Sequence, residues 1–247
     1  MQLLTGVDDL PRTGNIRTQL MALWVTAVSL AILLVAYAAF PGFWPPMSPD
    51  MSAQAVADFY RDNTGSIRFS MVTFNLCGIM LLPLFCVITV QIKRMAAQSQ
   101  AFAYCYLMAT VSGCTIFALS DIFFAAAAYR PGRDPDLILV LNDLGWIVFV
   151  APVGMALVQN LMLALAIYYD NGSRPVYPRW IAHFAIAIAP TMAPAAFSVT
   201  VTAGPFAWDG VVSFWLRNIA FGAFLAVMLV ATWKAVHRQA VEEGLAE

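Results

Sequence analysis

Apolar residues along this chain do not alternate with polar ones, as in a half-buried strand. Nor do they recur at the three- and four-residue spacing of an amphipathic surface helix. They come in long runs that are apolar on every side, and a helix that is hydrophobic all round lies in a protein core or in a bilayer. Six runs are long enough to cross a hydrocarbon layer, which takes about 20 residues in helical form. They cover roughly residues 19–40, 68–92, 102–129, 137–168, 180–202 and 208–236. The pattern predicts an all-α polytopic membrane protein, a bundle of six transmembrane helices. The fourth run is the longest, so it must tilt, kink or protrude. Pro152 supplies a kink site because it lacks a backbone donor. Leu20 to Tyr37, followed by the small Ala38, has the look of a signal peptide, but its apolar run is long for one and reads as a span.

Composition agrees with the pattern. Hydrophobic residues make up 61% of the 247 and charged residues 11%, and the mean hydropathy is +0.75. A soluble domain carries about a quarter charged residues. The net charge of -1 and the lack of any basic run exclude a phosphate-tracking surface, so nucleic acid is not an expected partner.

Lysine and arginine in the loops set the orientation, because cytoplasmic segments carry the excess. With the N-terminus inside, the inner segments hold Arg12, Arg17, Lys93, Arg94, Arg174, Arg179, Lys234 and Arg238, and the outer ones only Arg61, Arg68, Arg130 and Arg133. An even number of spans returns the C-terminus to the same side, so both termini are expected in the cytoplasm. The localisation that follows is a bacterial-type plasma (inner) membrane. No linker or charge block divides the chain and no internal repeat is visible, so residues 1–247 read as a single membrane domain surrounded by membrane lipid.

The one sizeable soluble element is the outer loop, residues 41–67. Ser48 or Asp50 is placed to cap a short helix running to about Asp58, with Ala53, Val56, Phe59 and Tyr60 at helical spacing. Such a helix would lie across the outer mouth of the bundle. Phe43, Trp44 and Trp208 are expected as aromatic anchors at the outer interface, and Trp180 and Trp233 at the inner one. Small residues repeat every four positions at Ala185, Ala189 and Ala193 and at Gly222 and Ala226, a spacing that lets helices approach closely. If such a stripe faces outward, it fits a homo-oligomer or a larger membrane complex.

Ionisable residues inside the spans are few: Asp121, Asp143 and Arg217, with Asp209 at the outer end of the last run. A charge at mid-bilayer costs about 2.5–3.5 kcal/mol on insertion scales, so such residues face the bundle interior and find partners. Counted inward at about 1.5 Å per residue, Asp143 lies about 10 Å deep, Asp121 about 13 Å and Arg217 about 14 Å. Asp209, Ser213 and Arg217 follow i, i+4, i+8, a single polar stripe. Asn75, Asn142, Trp146 and Asn218 lie at similar depth. These residues predict a polar pocket in the outer half of the bundle, with Arg217 neutralising one carboxylate and the other aspartate taking a proton or a cationic group. Gln159 and Asn160 lie deeper, where they either extend a polar path or bond neighbouring helices.

Cys77, Cys86, Cys105 and Cys114 sit at matching depths in consecutive spans. Nine residues is about two and a half turns, which puts the members of each helix on opposite faces, so both pairs cannot meet across one interface. Two histidines, His183 and His237, near the inner boundary supply no metal or haem spacing, and no nucleophile elbow or phosphate loop occurs. No cofactor is implied. The functional expectation is a small transport or ligand-binding membrane protein. An accessory or scaffold subunit of a larger complex is the second reading, and a membrane enzyme acting on an apolar substrate the third.

Overall fold

The computed structural model describes residues 13–96 and 99–245. Arg12, counted above among the inner cations, lies outside them. Six segments are long and apolar enough to cross a membrane: Asn15–Ala39, Thr64–Lys93, Ala101–Tyr129, Pro135–Tyr168, Arg179–Val199 and Val211–Glu242. The described residues contain no strand. The chain is an integral membrane protein built as a six-helix bundle. Both described ends emerge on one face, since Gln19 near the start bonds Gln239 near the end.

The spans are not six plain rods. The first is α1, Thr13–Ala39, and the short α2, Ala53–Asp62, lies outside the spans. The second span is α3, Thr64–Gly78, and α4, Leu82–Lys93, joined by a 3-10 turn over Ile79–Leu81. Pro83 at the start of α4 has no N–H and crowds the carbonyl of the preceding turn, which forces the change of helix type. The hydroxyl of Thr26 on α1 accepts from the Leu84 N–H at 3.1 Å and donates to the Ala22 carbonyl at 3.0 Å. A free backbone donor created by the break is thereby satisfied from the neighbouring span, as hydrocarbon requires.

The third span, α5, runs unbroken over Ala101–Tyr129. The fourth is split into α6, Pro135–Val150, and α7, Gly154–Tyr168, with the kink at Pro152 as expected. The fifth is α8, Arg179–Met192, continued by a 3-10 stretch over Ala193–Val199 that contains Pro194. The sixth opens with a π-helical turn over Val211–Leu216 and continues as α9, Arg217–Glu242. Its helical structure starts at Val211 and not at residue 208, because Gly210 backs directly onto the Pro205 carbonyl: a Cβ there would sit 2.4 Å from that oxygen. The loop before the span is closed on itself.

Close approach of α5 and α6 rests on Gly145. A Cβ at this position would meet Phe124 at 2.5 Å, and the Ser120 hydroxyl bonds the Gly145 carbonyl at 2.8 Å. Beneath the loop side lies an aromatic layer centred on Trp146, which is fully buried against Phe40, Phe43, Phe124 and Phe214.

Two expectations at the membrane boundary are corrected. Phe43 and Trp208 are not interface anchors but are 2% and 5% exposed, Phe43 within that aromatic layer and Trp208 donating to the Met47 carbonyl at 2.8 Å. Trp44 and Trp180 do remain exposed. The helix in the outer loop is real but begins later and ends later than expected. Its cap is Ser52, which accepts from the Ala55 N–H, while the Ser48 hydroxyl is taken by the Asp50 N–H. Pro49 keeps Ser48 and Asp50 in a turn, so neither caps the helix.

Candidate functional site

Val56, Ala57 and Tyr60 form the buried face of α2, which lays the helix on the loop-side end of α6. The Tyr60 hydroxyl donates to Asn142 Oδ1 at 3.1 Å, and Asn142 Nδ2 contacts Asp143 Oδ1 at 3.4 Å. Asn142 is 1% exposed, so its amide is buried because the lid helix supplies a partner. Burial first, and then the nearby Asp143 carboxylate, raise the pKa of the Tyr60 phenol, which keeps it a donor.

Arg217 stands elsewhere, against the Phe149 end of α6. Its Nη2 donates to the Phe149 carbonyl at 2.7 Å, its Nη1 to Asn218 Oδ1 at 3.2 Å, and its guanidinium carbon lies 4.8 Å from the centre of the Phe149 ring. The Phe149 carbonyl is available because of the kink next to it. In an unbroken helix it would accept from the Val153 N–H, but that group turns to the Ala151 carbonyl at 2.9 Å. A cation from the sixth span thus satisfies the backbone of the fourth.

The expected ion pair does not form. Among the described residues, ion pairs join Arg61 to Asp58 and Asp62, and Arg94 to Glu242; none involves Arg217. Asp121 is 2% exposed and its Oδ2 has no hydrogen-bond partner. The stripe Asp209, Ser213, Arg217 is also divided. Asp209 lies in the loop, and the Ser213 hydroxyl bonds the Phe206 carbonyl at 2.8 Å. Asn75 is exposed on the outer surface of α3 beside Val72 and Leu76, so it does not join the group. Trp146 belongs to the aromatic layer, where its Nε1 has no partner.

A chamber of about 410 Å³ runs from Phe43 and Trp44 on the loop side to Thr110 and Gln159. Of the seven residues expected to form a pocket, Arg217 and Asn218 line it. Its remaining wall is largely aliphatic and aromatic. The four irregular points of the backbone all contribute: Gly78 and Leu81 at the break of the second span, Pro152 and Val153 in the fourth, Met192 before the 3-10 stretch of the fifth, and Phe214 and Trp215 in the π-turn of the sixth. Broken backbone is tolerated at membrane depth where it is buried in protein or lines a cavity, and π-turns occur often at functional sites.

The face carrying the chain ends is closed by a cluster that the hydropathy pattern concealed. Gln91 Nε2 donates to Gln19 Oε1 at 2.6 Å and to Gln239 Oε1 at 3.0 Å, and Gln19 Nε2 donates to Gln239 Oε1 at 3.2 Å. Arg94 donates to Gln91 at 2.6 Å and pairs with Glu242 at 3.0 Å. All three glutamines are buried. Three glutamines near the same-side ends of three spans were the available signal. Gln159 donates to the Tyr106 hydroxyl of α5 at 3.4 Å and so bonds a neighbouring helix, whereas Asn160 donates at 2.8 Å to the Ala156 carbonyl of its own helix and its Oδ1 has no partner. The four cysteines are free thiols.

The fold and this chamber define a class: a six-helix integral membrane protein with a mostly apolar chamber and one cation in its wall. No family model, characterised protein or solved structure matches the chain.

Proposed function

We propose that this protein binds a small membrane-soluble ligand in the chamber and acts as a carrier or receptor for it. The observation that carries the reading is the coincidence of the chamber with the interruptions of four spans, beside the Arg217 guanidinium. Ligand sites are typically apolar compartments of about 300–1,000 Å³ with a few convergent polar groups. Discontinuous membrane helices place exposed backbone polarity at substrate sites. The volume suits one ligand, and Arg217, Asn218, Tyr37 and Gln159 supply the polar contacts.

The scaffold reading would use the outward Gly222 and Ala226 as a docking stripe. Gly222 also lines the chamber, which ties that surface to the compartment and favours the ligand reading. On this reading, which follows the positive-inside count, the lid and the upper chamber face the extracytoplasmic side.

The test is the occupancy of the chamber. Protein extracted directly into native lipid particles is analysed by mass spectrometry for retained small molecules, beside a Gly113→Phe variant that fills the compartment from α5. A retained molecule that is lost in the variant supports the reading. Identical lipid content in both, with no binding of an environment-sensitive apolar probe, overturns it and leaves the scaffold.

A further inference from the structure

The chamber's exposed lining residues lie at its loop-side mouth, at Trp44, and on the outer faces of two spans. Of its lining residues, Leu34 and Ile219 are 59% and 65% exposed, and Gly222 is exposed as well. They belong to α1 and α9, the first and last spans. These two helices are clasped at both ends. Toward the chain termini Trp24 meets Trp233 edge to face at 5.5 Å, above the glutamine cluster. On the loop side Trp44 meets Trp215 in the same manner at 5.7 Å. Between the clasps the exposed lining positions Leu34, Ile219 and Gly222 are aliphatic or lack a side chain, and a Cβ built on Gly222 meets nothing within 4 Å. These exposed wall positions lie within the first and last spans, at the depth of the hydrocarbon layer.

Inside, Arg217 is charged and not ion-paired. A guanidinium has five N–H donors; two are engaged with Phe149 and Asn218, so three remain, and Nε is buried without a partner. Buried charges in membranes are paired, and a guanidinium offers a fork that matches the two oxygens of a carboxylate. The one charge on the wall calls for one negative charge, and the rest of the wall calls for a hydrocarbon chain. A compartment of about 410 Å³ falls in the range of sites that take one small ligand.

We infer that the ligand is a single-chain lipid with a carboxylate headgroup, which enters from the bilayer between α1 and α9 and docks its headgroup on Arg217. This rests on the chamber being a ligand site, and it adds the chemical class and the route. A polar solute arriving through the lid would have no use for wall positions that face lipid.

The experiment uses full-length protein in phosphatidylcholine nanodiscs, with tryptophan quenching by brominated dodecanoate and, in parallel, by brominated dodecanol. Dodecanoate is expected to bind about tenfold tighter, the difference one charge-assisted contact makes, and Arg217→Gln should bring the two to parity. Gly222→Trp, which adds a ring at the exposed wall on α9, should slow stopped-flow entry of both chains. Equal affinity in the parent protein overturns the headgroup assignment while leaving the chamber in place. Binding of neither chain overturns the chamber reading itself. Unchanged entry rates in Gly222→Trp overturn the lateral route. Should Arg217→Gln fail to fold, the ratio measured on the parent protein decides the headgroup alone.

Discussion

Arg217 and Phe149 are joined twice. The guanidinium bonds the Phe149 carbonyl at 2.7 Å and sits 4.8 Å from the centre of the Phe149 ring. The sixth span is thereby fastened to the kink of the fourth, and the cation that faces the chamber also holds the chamber's shape.

Arg217→Ala is expected to lower stability by about 2 kcal/mol, the range of a hydrogen bond to a charged group together with a stranded buried acceptor. Thermal unfolding in detergent reads this directly. Arg217→Lys keeps the charge but not the fork, so it should recover only part of the loss. A variant as stable as the parent would mean that the Phe149 carbonyl has another partner.

Tyr60→Phe removes the donor to Asn142 and leaves a buried amide oxygen unpaired. The expected cost is about 1 kcal/mol, concentrated in the lid. Hydrogen exchange across residues 53–62 should quicken while α5 stays protected; uniform protection would show that the apolar face of α2 holds the lid unaided.

The glutamine cluster should behave non-additively. Gln91→Leu leaves the buried Gln19 Oε1 without a donor and takes one acceptor from Arg94, and about 2 kcal/mol of destabilisation is expected. Replacing Gln19, Gln91 and Gln239 together by leucine should cost less than the single change, because no unpaired amide is left behind. A triple variant less stable than Gln91→Leu alone would contradict this.

Asp209 carries a pH signature of the lid. Its partial burial, followed by the nearby Asp50 charge, raises its pKa above the ordinary carboxylate value. A raised folded value means that the protonated form is favoured in the folded lid. The added stability is complete below the unfolded value of about 4 and is lost as the pH rises through the folded one. Cysteine-labelling rates of a probe in the lid loop should therefore increase from acid toward neutral pH, and Asp209→Asn should flatten that profile. An unaltered profile in the variant would assign the effect to another group.

Gly145→Ala places a methyl against Phe124, where 2.5 Å is available. Overpacking of this kind costs about 1–3 kcal/mol, and differential scanning fluorimetry should show a lowered unfolding temperature. Paired with Phe124→Leu, the glycine change should become tolerable.

The six spans and the kink at Pro152 were legible without coordinates. Hydrocarbon leaves the backbone one economical option, and about 20 apolar residues in a row announce it. The pairing of side chains was not legible. Depth along a helix can be counted, and the count placed Asp121, Asp143 and Arg217 at one level, but angular position around the bundle depends on how six helices pack. That packing turned Asn75 outward, gave Asn142 to Tyr60 of the lid, left Asp121 unpaired, and set Arg217 against a backbone carbonyl. The carbonyl became an acceptor only because the helix breaks beside it, and no residue type records a free carbonyl. The chamber has the same origin, since it is the space left where four interrupted spans meet. The chain by itself determined how many times it crosses the membrane; the tertiary structure alone decided which polar groups meet, because in a uniformly apolar helix the sequence carries almost no signal for which face turns inward.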